Sequence, residues 1–172
     1  MCDADNRVAF FIVMKEFGLI GRPLGHSASA SYFAEKFAVQ SIDAHYALYE
    51  LESIERVETL RGKLCGFNVT IPYKKQILPY LATISEEAAK VGAVNCVVVR
   101  DGKTVGYNTD VKGIEASLGW LSVDENTKAL VLGTGGASKA VQYVLKRMGV
   151  EYKVVSRDAD RGDLTYEQLD AD

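Results

Sequence analysis

Lys128-Ala129-Leu130-Val131-Leu132-Gly133-Thr134-Gly135-Gly136-Ala137-Ser138 sets a short apolar run directly before a glycine-rich turn. The run reads as a buried strand, since it is continuously apolar rather than alternating. Beyond the turn, Val141, Val144, Leu145 and Met148 recur at helical spacing up to Gly149, and Tyr152 to Val155 reads as a second strand. Strand, glycine turn, helix and strand within about thirty residues is the pattern of a βαβ unit, which implies parallel strands and an α/β fold. Glycines let a backbone approach a pyrophosphate, and the helix N-terminus attracts its charge. Ser138 stands where the usual fingerprint has its third glycine, so a plain strand–helix junction stays open. The second strand ends in Ser156-Arg157-Asp158. Arginine there suits the 2′-phosphate of NADP, because guanidinium pairs with phosphate through two hydrogen bonds. An acid there suits the ribose hydroxyl of NAD, so Asp158 keeps NAD open, and a solvated charge cluster is the third reading.

Upstream, Gly66-Phe67-Asn68-Val69-Thr70-Ile71-Pro72-Tyr73-Lys74-Lys75 runs from a strand-like lead beginning near Leu64 into a turn. Pro72 has no N–H and forces Ile71 toward extended backbone, so the strand should stop there. Thr70 and Lys74 then stand at a strand end, where binding groups commonly sit. Lys75 reads as solvated. Working toward the N-terminus, Ala44 to Leu51 is a strand, and Ser53 opens a helix carrying Ile54, Val57 and Leu60 that closes near Gly62. Glu16 to Gly21 is a first strand. Tyr32, Phe33 and Phe37 share one face of a helix that Ser27 or Ser29 can cap. The same hydroxyls at the positive helix end suit a carboxylate.

Between Lys74 and the βαβ unit, Ser85-Glu86-Glu87 opens a helix ending at Gly92. Val94 to Arg100 and Lys103 to Tyr107 flank Asp101-Gly102, a strong hairpin signal. Asn108-Thr109-Asp110 follows. Asp110 reads locally as the cap of a helix from Val111 to about Leu121, with Ile114, Leu118 and Leu121 inward. Residues 121 to 127 form a polar connector.

The chain has 172 residues, 48% hydrophobic and 25% charged, as a globular protein should be. A net charge of -3 offers no basic field for nucleic acid. The apolar run Val8 to Met14 is far too short to cross a bilayer. It reads as an extra edge strand or as sequence ahead of a start at Met14. Cys2, Cys65 and Cys96 are too few and too scattered for a disulfide framework or a zinc site, so no metal is expected. The two later cysteines are expected as buried thiols, and a cytoplasmic setting fits.

Taken together, G-L-I-G-R-P-L-G-H-S-A-S (Gly18 to Ser29), G-F-N-V-T-I-P-Y-K (Gly66 to Lys74), G-A-V-N (Gly92 to Asn95), G-Y-N-T-D (Gly106 to Asp110) and G-T-G-G-A-S (Gly133 to Ser138) resemble the shikimate dehydrogenase family, in its order and spacing. Quinate-using relatives belong to the wider family. The resemblance implies an α/β substrate-binding lobe with a mixed sheet, followed by a Rossmann-type NADP-binding lobe that is incomplete here. The divisions it implies are an extension at 1–14, a substrate-binding catalytic domain at 15–110, a linking helix and connector at 111–126, and a partial dinucleotide-binding domain at 127–172. It implies NADP-dependent reversible reduction of 3-dehydroshikimate to shikimate, in a monomer or homodimer without nucleic-acid or membrane partners. By position, Lys74 and Asp110 match the catalytic pair. Ser27 and Ser29 match the carboxylate-binding serines, and Thr70 and Asn95 match hydroxyl-binding positions, with Asp110 also bonding a substrate hydroxyl. Gly133, Gly135, Gly136 and Ala137 match the phosphate turn, and Arg157 the 2′-phosphate position. Ala30 stands where the family usually has proline, Cys96 where threonine is common, and Ser156-Arg157-Asp158 where Asn-Arg-Thr is usual. Family members continue well past Asp172, so the expectation is a truncated chain with a nearly complete substrate cleft, half a cofactor site and impaired activity. A fragment that binds shikimate-like acids without chemistry, or one that pairs with a missing segment, is the alternative.

Overall fold

The structure, a computed structural model, describes residues 14–60 and 62–169. In chain order the elements are β1 (Lys15–Gly21), α1 (Ser29–Val39), β2 (Ala44–Glu50), β3 (Gly66–Val69), β4 (Thr83–Ile84), α2 (Glu86–Val91), β5 (Cys96–Arg100), β6 (Lys103–Tyr107), α3 (Asp110–Trp120), β7 (Lys128–Leu132), α4 (Gly136–Arg147), β8 (Glu151–Ser156) and β9 (Leu164–Thr165). Short 3-10 helices fall at Ile54–Leu60, Leu78–Tyr80, Ala159–Arg161 and Tyr166–Gln168. The extension assigned to residues 1–13 lies outside the described residues.

The first sheet runs β2-β1-β3-β5-β6-β4. β1 pairs in parallel with β2 and β3, and β5 runs antiparallel to both β3 and β6, so the sheet is mixed as expected. The β5–β6 hairpin turns on Asp101 and Gly102, both at positive φ, the geometry that an Asp-Gly pair favours. Its register places Cys96 opposite Tyr107, which brings Asn95 and Asn108 side by side at the open end. The second sheet, β7-β8-β9, is parallel, with α4 as the crossover between β7 and β8.

One face of the first sheet packs Ile20, Phe67, Val69 and Val97 against Ile54, Val57, Leu60, Tyr73 and Ile77. Ile54, Val57 and Leu60 recur every third residue. The sequence reads as a helix there, and the helix that forms is 3-10, in which a three-residue repeat stacks on one side. On the opposite face α1 lays Phe33 and Phe37 over Phe17, Leu19 and Tyr46, with Phe33 and Tyr46 stacked at 4.3 Å. A third cluster joins the two halves: Val91, Ala93 and Val111 meet Ala140 and Val144 of α4. Arg147 of α4 ties in further, pairing with Glu87 and Glu115.

Four local expectations fail. The strand begins at Gly66 rather than Leu64, because Leu64 turns into the core beside the 3-10 helix. Leu121 is 72% exposed rather than inward, since α3 ends at Trp120 and the chain turns away. Cys65 is exposed, lying just before β3, whereas Cys96 is half-buried and burial pushes its thiol pKa up. Fourth, β7 is not the buried strand expected: Val131 packs against Leu145 of α4, but Leu130 and Leu132 are 54% and 61% exposed.

Candidate active site

β1 and β3 are parallel, β5 enters beside the end of β3, and β6 leaves beside the start of β5. The C-terminal ends of β1, β3 and β6 and the N-terminal end of β5 therefore share one edge of the sheet. Such an edge is where open α/β sheets bind ligands. Thr70 is fixed there by its N–H to the Ile20 carbonyl at 2.8 Å. Pro72 then breaks the strand, and the turn is pinned from below by Tyr73, whose hydroxyl donates to the Leu51 carbonyl at 2.7 Å. Lys74 is held by its own carbonyl, which accepts from the Val94 N–H at 2.8 Å.

Lys74 Nζ donates to Asp110 Oδ2 at 2.7 Å, with the two side chains 15% and 26% exposed. Thirty-six residues of chain separate them. Asn95 sets the other half of the carboxylate. Its Nδ2 donates to Asp110 Oδ1 at 2.7 Å and to Thr109 Oγ1 at 3.0 Å. Its Oδ1 accepts from the Thr109 N–H at 2.8 Å. Both Asp110 oxygens are therefore engaged, one by a cation and one by an amide. This displaces the reading of Asp110 as a helix cap. Thr109 occupies the cap position, and Asp110 is the first residue of α3 with its carboxylate turned to Lys74.

A longer relay supports this pair. Tyr46 donates from its hydroxyl to Asn68 Oδ1 at 2.9 Å, and Asn68 Nδ2 donates to the Asn95 carbonyl at 3.3 Å. Burial, with Cys96 nearby as the lesser cause, pushes the Tyr46 pKa up, so the phenol stays a donor. Tyr46→Phe is expected to cost about 1 kcal/mol by leaving Asn68 Oδ1 unpaired. A urea midpoint lowered without a change in slope is the readout. Thr109 and Tyr46 were not singled out from the sequence. Thr109 sits inside the Asn-Thr-Asp motif, and Tyr46 is only one residue of the strand expected over Ala44 to Leu51.

Ser27 and Ser29 follow the end of β1 at the same edge. Neither caps α1 through its side chain. Instead Ser27 Oγ accepts from the Ser29 N–H at 3.3 Å, and Ala28 holds the cap position. Neither serine lines the hollow of about 490 Å³ beside Lys74 and Asp110, which is walled by Ile114 and Leu118 of α3 and by Ala137 and Val141 of α4.

That hollow leads to the glycine turn. Gly133 sits at φ +100°, a conformation strained for any residue with a side chain. Its carbonyl accepts from Ser138 Oγ at 2.6 Å, so the serine in place of a third glycine closes the turn. A Cβ on Gly136 would lie 3.0 Å from Lys74 Cβ, a tight contact that would push the turn and Lys74 apart by a few tenths of an ångström. Gly135 caps α4 with no side-chain hydrogen bond, which leaves first-turn N–H groups open to an anion. Arg157 is exposed at the end of β8, and Asp158 turns back to accept from the Asp160 N–H at 3.1 Å.

Among the described residues no group of three His, Cys, Asp or Glu is placed to hold a metal, and no helix is long and apolar enough to cross a membrane. The profile of the shikimate dehydrogenase substrate binding domain matches residues 19–97. A shikimate dehydrogenase (NADP(+)) from Caldanaerobacter subterraneus is 44% identical over 147 residues, 83% of this chain and 52% of the relative. That from Bacillus mycoides is 40% identical over 152 residues, 84% of this chain and 55% of the relative. Over most of its own length the chain is similar to shikimate dehydrogenases. Solved structures agree. Shikimate dehydrogenase 1 from Peptoclostridium difficile superimposes with a TM-score of 0.82 at 35% identity, over 90% of this chain and 62% of that one. The Thermus thermophilus enzyme in complex with NADP(H) and shikimate gives 0.76 at 32%, over 86% of this chain and 58% of that one. The chain thus spans about half the length of the curated relatives it matches.

Proposed function

We propose that residues 15–110 are the substrate-binding lobe of an NADP-dependent shikimate dehydrogenase, with 111–126 as linking helix and connector and 127–172 as part of the cofactor lobe. The reaction is the reversible reduction of 3-dehydroshikimate to shikimate. The Lys74–Asp110 contact carries this reading, because it places a cation and a carboxylate at the ligand edge of the sheet. Ketone reduction needs a hydride on carbon and a proton on oxygen. Bound NADPH would supply the hydride. Lys74, as ammonium, donates the proton and steadies the charge growing on oxygen. Asp110 orients Lys74 and bonds a ring hydroxyl.

Ser27 and Ser29, at the positive end of α1, take the substrate carboxylate, and Thr70 and Asn95 take ring hydroxyls. Since Asn95 is already bonded to Asp110 and Thr109, it acts on substrate partly through them. Gly133, Gly135, Gly136 and Ala137 fit a pyrophosphate: the turn is open and the α4 N–H groups are uncapped. Arg157 fits the 2′-phosphate, and the hydrogen bond that Asp158 accepts from the Asp160 N–H offsets part of the repulsion an acid there would impose. A quinate reading has one support, the 30% identity to a quinate dehydrogenase from Corynebacterium glutamicum in complex with NAD.

Calorimetry of the purified chain with shikimate and with quinate tests the site, together with shikimate-dependent reduction of NADP. Shikimate is expected to bind more tightly than quinate, and Asp110→Asn is expected to weaken it about tenfold, as loss of a charge-assisted hydrogen bond does. An affinity unmoved by Asp110→Asn would remove the assignment.

A further inference from the structure

The glycine turn is bordered from the first lobe as well as from its own. Lys75 follows Lys74 in the Pro-broken turn, and its Nζ donates to the Thr134 carbonyl at 3.4 Å. Thr134 lies between Gly133 and Gly135, so this contact reaches the middle of the phosphate turn. The close approach of Gly136 to Lys74 is what brings the neighbouring lysine within reach. Lys139, in the first turn of α4, and Arg161, in the 3-10 helix after β8, lie near the same ammonium. Partial burial first, then these two cations, lower the Lys75 pKa. Among the described residues none of the three forms an ion pair with a carboxylate. Three like charges gathered without a counter-ion oppose folding, and such a cluster suits an anion that arrives from outside.

We propose that Lys75 is a phosphate-binding residue of the dinucleotide site, contributed by the substrate lobe across to the glycine turn. This rests on reading that turn as the dinucleotide site. The ammonium has three donors, and the Thr134 carbonyl uses one. Two remain for phosphate oxygens without breaking the contact that positions the side chain. Lys139 stands in the first turn of α4 and Arg161 in the 3-10 helix after β8, and Lys75 is within electrostatic reach of both.

Calorimetry with NADP and with NAD, on the unmodified chain, Lys75→Gln, Lys75→Arg and the hairpin-tip control Lys103→Gln, tests this over a range of salt. Lys75→Gln is expected to weaken NADP about fivefold, the upper end for an exposed charge pair. It should also flatten the dependence of log Kd on salt, which loss of a merely structural tether would not do. Lys75→Arg and Lys103→Gln should bind as the unmodified chain does. Weakening of NADP and NAD alike supports the pyrophosphate as the partner, and weakening of NADP alone supports the 2′-phosphate. Unchanged affinity and salt slope in Lys75→Gln overturn the role of Lys75 while leaving the dinucleotide reading intact. No binding of either dinucleotide by the unmodified chain overturns both.

Discussion

Lys74→Met is expected to lower the rate of shikimate-dependent NADP reduction by about 10²–10⁴-fold, the usual worth of a positioned general acid. The shikimate affinity should change much less, since the lysine acts where charge develops rather than in holding the ring. A second readout does not depend on turnover. Methionine leaves Asp110 with Asn95 as its remaining partner, and the half-buried carboxylate loses its cation. Stability should fall by about 1–2 kcal/mol, the range for a charge-assisted bond that water partly screens. Initial rates and urea unfolding on the same preparation separate the two effects. A rate within a few-fold of the unmodified chain would mean that Lys74 is not the proton donor.

Ile77→Ala carries the largest expected loss of stability, about 3 kcal/mol, within the range of about 2–5 kcal/mol for truncating a buried isoleucine. Ile77 is fully buried beneath the turn, in the cluster that holds Ile20, Val69 and Val94. Its N–H also donates to the Tyr73 carbonyl at 2.9 Å, so Tyr73 and Ile77 anchor the chain on either side of Lys74. A cavity at Ile77 lets the turn sink, and Lys74 would lose its alignment with Asp110. The urea midpoint should drop, and the rate of shikimate-dependent NADP reduction should fall although no ligand contact is removed. A loss under about 1 kcal/mol would mean that the surrounding side chains collapse into the space.

Much of this was legible because local signals and tertiary packing agree. Asp101-Gly102 announced the hairpin, Pro72 ended β3, and the run from Lys128 to Val155 forms the parallel βαβ unit that its periodicity predicts. The misses occur where a local rule meets a competing contact. Asp110 had the sequence context of a cap, yet a lysine thirty-six residues away takes its carboxylate. Nothing in the spacing of Lys74 and Asp110 encodes that meeting. It follows from the order of three strands, and the motifs' resemblance to a family pointed to it. Ile54, Val57 and Leu60 fit an α-helix and a 3-10 helix almost equally over so short a segment. The parallel pairing of the two-residue strand β4 with β6 had no sequence signal at all.

The β5–β6 hairpin also separates two ends of very different character. Asn95 and Asp110 flank its base, whereas Asp101 and Gly102 form its exposed tip, five paired residues away, or about 17 Å at the usual rise per residue. A fluorescent label, an affinity tag or an inserted epitope can therefore be carried at the tip with the reacting groups undisturbed, as exposed turn tips elsewhere tolerate. That makes the hairpin a ready place to install a reporter for following ligand capture at its base.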